Sequence, residues 1–173
     1  MEKQIDFYFD LVSPYSYIAS MLIEDVARRG NAKVSWKPFL LGGVFKAVGT
    51  TEAPGLHPIK KPYLLKDLQR LSKHLKIPIT MPPDFPVRTV LAMRTLCGFN
   101  ADEIPQAAQT LYKAYWVNNQ DIADPEVVAS LVGRDAVDRA GIQEIKDSLF
   151  QSTEEAVRRG AFGAPTFFVK DEM

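Results

Sequence analysis

Ile5, Phe7, Phe9 and Leu11 alternate with Asp6, Tyr8 and Asp10, the two-residue period of a strand with one buried face. Ser13-Pro14 then predicts a helix start, with serine as N-cap and proline at the first helical position. Tyr15, Ile18, Ala19, Leu22, Ile23 and Val26 follow at helical spacing, and Gly30 supplies a stop. Val34 and Trp36 alternate through Lys33–Lys37 as a second strand, which completes a βαβ opening.

The middle of the chain has a different rhythm. Residues 42–62, rich in Gly, Pro and Thr, predict a long loop. Helical spacing then recurs three times: Leu64, Leu65, Leu68, Leu71 and Leu75; Val90, Leu91, Arg94 and Leu96; and Ile104, Ala107, Ala108, Leu111, Tyr112 and Tyr115. Asp124-Pro125-Glu126 opens a short fourth helix. A short helix over 153–159 closes at Gly160, and Thr166-Phe167-Phe168-Val169 is a β-rich run. The expected architecture is α/β, with residues 1–41 and 151–173 forming one part and 42–150 an all-helical insertion. A third strand ending the chain would leave an apolar edge. Lys170-Asp171-Glu172 is therefore expected to begin a hairpin turn, with a further strand and helix expected beyond it.

Composition narrows the function classes. The 173 residues are 46% hydrophobic and 24% charged, with 21 basic and 21 acidic side chains. A zero balance argues against a nucleic-acid binder. No apolar run reaches the roughly 18–20 residues needed to span a bilayer, and the N-terminus lacks the pattern of a secretory signal. The expected setting is cytoplasmic. One cysteine, Cys97, excludes an intramolecular disulfide, and its helix of apolar neighbours predicts a buried structural thiol.

Two short motifs offer chemistry. A helix start presents unpaired N–H groups to an anion, and Ser13 in Ser13-Pro14-Tyr15-Ser16 could add its hydroxyl. Taken alone, Ser-Pro before a helix is ordinary capping. The only histidines, His57 and His74, place no base beside it, which argues against a Ser-His-Asp triad. Ala164-Pro165 precedes the last β run, where a trans bond is the ordinary expectation.

Together the motifs say more. Phe7-Tyr8-Phe9-Asp10 runs into Ser13-Pro14-Tyr15-Ser16-Tyr17; Trp36-Lys37-Pro38-Phe39-Leu40-Leu41-Gly42 follows, then Ala114-Tyr115-Trp116 with Asp121-Ile122-Ala123-Asp124-Pro125, then residues 162–169. This order resembles the 2-hydroxychromene-2-carboxylate isomerase family, which has a thioredoxin-like, DsbA-like fold and is close kin to kappa-class glutathione transferases. The resemblance spans the chain. It implies that Ser13 hydrogen-bonds the sulfur of glutathione, that Pro165 is cis, and that Ala164 offers its backbone to the cysteinyl part. It implies that Lys60 helps hold the tripeptide. Thr50 stands where relatives carry an asparagine, and their γ-glutamyl-binding turn after the last strand is absent here.

With both redox cysteines replaced by serine, disulfide exchange is closed and the thiolate must come from outside. The implied activity is a glutathione-dependent cis–trans isomerisation of 2-hydroxychromene-2-carboxylate or a related aromatic-degradation intermediate. Lys37 and Arg88 are candidates for the substrate carboxylate, and Tyr15, Phe39, Phe45 and Trp116 for an apolar slot. A kappa-like transferase and a non-catalytic thioredoxin-like binding module are the alternatives. Relatives are often dimers, which leaves a homodimer open.

Overall fold

Strand β1, Lys3–Phe9, lies at the centre of a three-stranded sheet in the computed structural model, which describes residues 3–51, 53 and 55–173. Strand β2, Ala32–Pro38, runs parallel to it on one side, and β3, Thr166–Phe168, antiparallel on the other. A central strand covered on both faces buries both of its side-chain rows. Phe7 and Phe9 meet Trp36 edge-on at 5.0 and 5.4 Å on one face. Tyr8 meets Phe39 and Phe168 at 5.8 and 5.7 Å on the other. The alternation had suggested one buried face, yet Tyr8 and Asp10 are as buried as the phenylalanines.

The first helix is two helices. α1, Pro14–Ser20, ends where Met21 and Leu22 donate to carbonyls only three residues back, and the Ser20 hydroxyl bonds the Tyr17 carbonyl at 2.6 Å. Such side-chain bonds compete with the helical ladder. α2, Ile23–Arg29, buries Ile23 and Ala27 and leaves Val26, with Leu22 before it, exposed, off the face that helical spacing assigned them.

Residues 42–62 are not all loop. α3, Leu41–Ala47, occupies the beginning of that stretch, and α4, Lys60–Leu75, starts before its end. α5 (Val90–Cys97), α6 (Ile104–Trp116) and α7 (Pro125–Val132) match the helical rhythms, and Asp124 caps α7 by accepting from Glu126 N–H at 2.8 Å. A further short helix, α8, spans Arg134–Arg139. The last helix, α9, covers Gln143–Arg158, so it is longer than residues 153–159 and runs through residue 151.

Beyond β3, Val169 and Glu172 pair through two backbone hydrogen bonds, with Lys170 left-handed at φ 57°, so a tight turn forms there as expected. Arg159 ties this end together. Its guanidinium lies 3.9 Å from the Phe168 ring centre, pairs with Asp6 at 2.7 Å and donates to the Lys170 carbonyl at 2.8 Å. Among the described residues, no helix is long and apolar enough to cross a membrane.

Candidate active site

Ser13 ends the passage from β1 to α1, and nearly every polar group in that passage is held. The Ser13 N–H donates to the Asp10 carbonyl at 3.0 Å. From α6, the Tyr112 hydroxyl donates to that same carbonyl at 3.2 Å, and the Trp116 indole donates to the Leu11 carbonyl at 2.9 Å. Tyr112 and Trp116 stand four residues apart, on one face of their helix. One buried face of the insertion thus fixes the backbone on which Ser13 stands.

The serine itself is 4% exposed and has two partners. Its oxygen accepts from the Ser16 N–H at 3.1 Å, which is the N-cap, and its proton is donated to the Ala164 carbonyl at 2.9 Å. The Ala164–Pro165 bond is cis. Residues 151 positions apart in sequence therefore meet at one hydroxyl. Ser16, the other serine of the motif, is fully buried and absent from the cavity wall, so of the two serines Ser13 alone faces the cavity.

A cavity of about 640 Å³ opens in front of Ser13. That is ample for a small-molecule ligand, for which sites run to roughly 300–1,000 Å³. Ser13, Pro14 and Tyr15 form one wall, Leu41–Gly43 and Phe45 a second, Phe85–Val90 a third, and Phe162–Ala164 the rim. Ala53 and Gly55 close it from the loop before α4. Gly55 is there of necessity: a Cβ would come within 2.6 Å of the Phe85 ring. Tyr15 is fixed by its hydroxyl, which donates to Asp67 on α4 at 2.7 Å. Burial, then that carboxylate, pushes the phenol pKa well up, so Tyr15 stays protonated.

Asp10 is the second polar group of the wall and is 2% exposed. Its carboxylate accepts from the Val12 N–H at 3.1 Å, the Thr89 hydroxyl at 2.7 Å and the Leu41 N–H at 2.9 Å. Leu41 is the first residue of α3 and Thr89 the N-cap of α5, so one side chain joins the starts of two helices to the end of β1. Burial raises its pKa, against the pull of those three hydrogen bonds.

The remaining residues singled out in the sequence divide. Arg88 and Phe45 line the cavity with Tyr15 and Ala164. Pro165 lies just behind, on the wall of a smaller neighbouring cavity. Thr50 and Lys60 are exposed and flank the loop that carries Ala53 and Gly55; the Lys60 N–H donates to His57 Nδ1 at 3.4 Å. Lys37 is elsewhere. β2 lies on the far side of β1 from β3, so Lys37 meets α9, 3.9 Å from Glu155, and lines a separate cavity. Phe39 and Trp116 are core residues with no exposure, Phe39 against Tyr8 and Trp116 beneath the β1–α1 passage. Neither lines the cavity in front of Ser13; Phe45, Phe85 and Phe162 do. Asp10, Thr89 and Phe162 were not singled out as site residues in the sequence, although Asp10 and Phe162 lie within its ordered motifs. The available hint was an acid directly after Phe7-Tyr8-Phe9, a run too apolar for a strand with a wet face.

No pair of thiols faces this site, and what remains of a redox centre is a hydroxyl, a cis-proline and a cavity. A thioredoxin-like fold so equipped is suited to hold a ligand's anion rather than to exchange disulfides. The chain belongs to the DsbA-like thioredoxin domain family, whose model matches residues 4–173. It is 31% identical over 182 residues to the human protein "Glutathione S-transferase kappa 1", covering 95% of this chain and 80% of that one. It is 30% identical to "2-hydroxychromene-2-carboxylate isomerase" of Pseudomonas putida, covering 98% of this chain and 86% of the relative. A solved 2-hydroxychromene-2-carboxylate isomerase superposes with a TM-score of 0.86, covering 98% of this chain and 87% of that one; at 24% identity this likeness speaks for the fold alone.

Proposed function

We propose that this chain is a glutathione-dependent isomerase acting on 2-hydroxychromene-2-carboxylate or a related aromatic-degradation intermediate. The observation that carries the reading is the Ser13 hydroxyl on the cavity wall, 2.9 Å from the carbonyl that precedes cis-Pro165. Glutathione when bound supplies a sulfur nucleophile that can add to the substrate and leave again.

The residues on the wall fit that ligand. Ser13 is capped into place by Ser16 N–H, so its oxygen stays put while its proton is free to turn from Ala164 to an anion. The Ala164 carbonyl is then open to a backbone N–H of the tripeptide. Thr50 and Lys60, at the ends of the loop over the cavity, are suited to its outer carboxylate. A thiol of pKa about 8.5 needs roughly 2.7 kcal/mol to become mostly thiolate at neutral pH. One hydrogen bond to a charged group contributes about 1.5–3 kcal/mol, and the helix start about 0.3–2 kcal/mol. Arg88, the one cation on the wall among the described residues, is the group suited to the substrate carboxylate, with Phe45, Phe85 and Phe162 beside its ring.

The 31% identity to human "Glutathione S-transferase kappa 1" supports a second reading, a transferase using the same Ser13 site on an electrophile. One reaction mixture separates them: protein, glutathione and the chromene carboxylate, followed by absorbance and by titration of free thiol. An isomerase forms the open trans isomer with all thiol recovered. Conjugation that consumes thiol one for one with product, with no trans isomer, overturns the isomerase in favour of the transferase. Absence of both, with no glutathione binding, sinks both in favour of a binding module.

A further inference from the structure

We propose that the Asp10 carboxylate takes up the proton of the thiol that binds against Ser13, so Asp10 and the sulfur together carry one negative charge before and after the thiolate forms. This rests on the glutathione reading above and deepens it by assigning the base that the histidine-free site otherwise lacks.

The hydrogen bonds fix the starting state. Val12 N–H, Leu41 N–H and Thr89 Oγ all donate to Asp10, which is the pattern an ionised carboxylate satisfies. Oδ1 accepts two of these and Oδ2 only the one from Leu41, which leaves Oδ2 with a lone pair for a proton. Asp10 and Ser13 line the same cavity and are joined through the Asp10 carbonyl and the Ser13 N–H at 3.0 Å. A thiol held at Ser13 shares this cavity with the carboxylate, and the proposed transfer crosses it directly or through one water.

Electrostatics then favour the transfer. Asp10 has no ion pair among the described residues, and its burial disfavours the charged form. Few titratable groups surround it. Tyr112 comes from α6, Tyr15 and Arg88 sit on the cavity wall, and Asp6 on its own strand is turned to Arg159; α3 and α5 contribute only Leu41 N–H and Thr89. Two anions in one low-dielectric site do not both persist when a proton can be shared. In the step proposed, the S–H bond breaks, an O–H bond forms at Oδ2, and the electron pair stays on sulfur. No oxidant, reductant or external base enters.

The test counts protons. Glutathione and S-methylglutathione are titrated calorimetrically into the wild-type protein in two buffers of different ionisation heat, from about pH 6 to 9, while thiolate absorbance is recorded. Wild type is expected to form thiolate at neutral pH while releasing far less than one proton per thiolate to the buffer, and S-methylglutathione to exchange none. Asp10→Asn is expected to release about one proton per thiolate, with the thiolate forming at lower pH because the competing charge is gone. One proton released per thiolate in wild type overturns the assignment while leaving the glutathione reading intact, and this holds even if Asp10→Asn fails to fold. No binding of either ligand overturns the reading and, with it, the assignment.

Discussion

Replacing Ser13 by alanine removes one hydroxyl that has two partners, and the two losses can be measured separately. In the ligand-free protein the oxygen caps α1 through Ser16 N–H and the proton satisfies the partly buried Ala164 carbonyl. Losing an N-cap serine to alanine costs about 1 kcal/mol, and losing a neutral hydrogen bond about another. Ser13→Ala should therefore unfold with about 2 kcal/mol less stability, a fall in Tm of roughly 4–8 °C for a chain of this size. In the glutathione complex the lost bond is to an anion, which is stronger. About 1.5–3 kcal/mol corresponds to a rise of about one to two pH units in the midpoint of the thiolate absorbance. Turnover at neutral pH should drop by about 10- to 100-fold and recover toward alkaline pH. Ser13→Gly separates the effects, because glycine keeps most of the capping while lacking the hydroxyl. It should show the same thiolate shift with a smaller loss of Tm, because the Ala164 hydrogen bond is still lost but capping falls by only a few tenths of a kcal/mol. Should both variants bind glutathione with the midpoint unmoved, Ser13 is a cap and nothing more.

Arg159→Met should lower stability by about 2–3 kcal/mol at neutral pH, since it strips a partly buried Asp6 of its partner and removes a cation from the Phe168 face. Burial would raise the Asp6 pKa, but the Arg159 hydrogen bond and neighbouring positive charges carry it below the ordinary carboxylate value. That stabilisation is present above about pH 4 and lost as pH falls through the lowered pKa, so the gap between variant and wild type in thermal unfolding should narrow in acid; a constant gap would refute the pairing. Gly55→Ala should displace the Phe85 ring, raising KM for the aromatic substrate several-fold, about 1 kcal/mol of overpacking, while kcat changes less; unchanged KM would mean that Phe85 is not part of the slot. Burial pushes the Cys97 thiol up to about 11, so alkylation at neutral pH, followed by mass spectrometry, should run about 100-fold slower than for a free cysteine; labelling at the free-thiol rate would contradict its placement.

What the sequence disclosed follows from how local each cause is. Ser13 at a helix start was legible because capping and the proline rule act within four residues. α7 was legible for the same reason. α3 was not: it begins Leu41-Gly42-Gly43, a poor helix opening, and its first N–H is satisfied by Asp10 from the other end of the βαβ unit. Its stability is tertiary, so a window of neighbours reads as loop. The early turns of α9 were hidden differently. Ile145, Leu149, Thr153 and Ala156 make a stripe narrow enough to vanish among charges. Aromatic residues show the same limit at the site, since nothing local says that Trp116 is packed beneath the backbone while Phe45 faces a cavity. The cis bond at Pro165 was legible only through the ordered motifs of the resemblance.

The helices between β2 and β3 are more than a cover for the cavity, because they hold the backbone that presents Ser13. If Tyr112 and Trp116 were lost, the Asp10 and Leu11 carbonyls would be left buried without these donors, and the turn that delivers Ser13 N–H to Asp10 would lose its outer restraint. A cysteine pair in such a turn supplies its own sulfur and needs its two thiols kept close. A lone hydroxyl must instead be aimed to within hydrogen-bonding distance of a sulfur that arrives from solution, and that geometry is set by the fixed main chain on either side. The demand for rigidity therefore rises when the sulfur is borrowed. If Ser13 holds a glutathione sulfur as proposed, the donors from α6, the start of α3 and the N-cap of α5 that converge on Asp10 and Leu11 meet that demand.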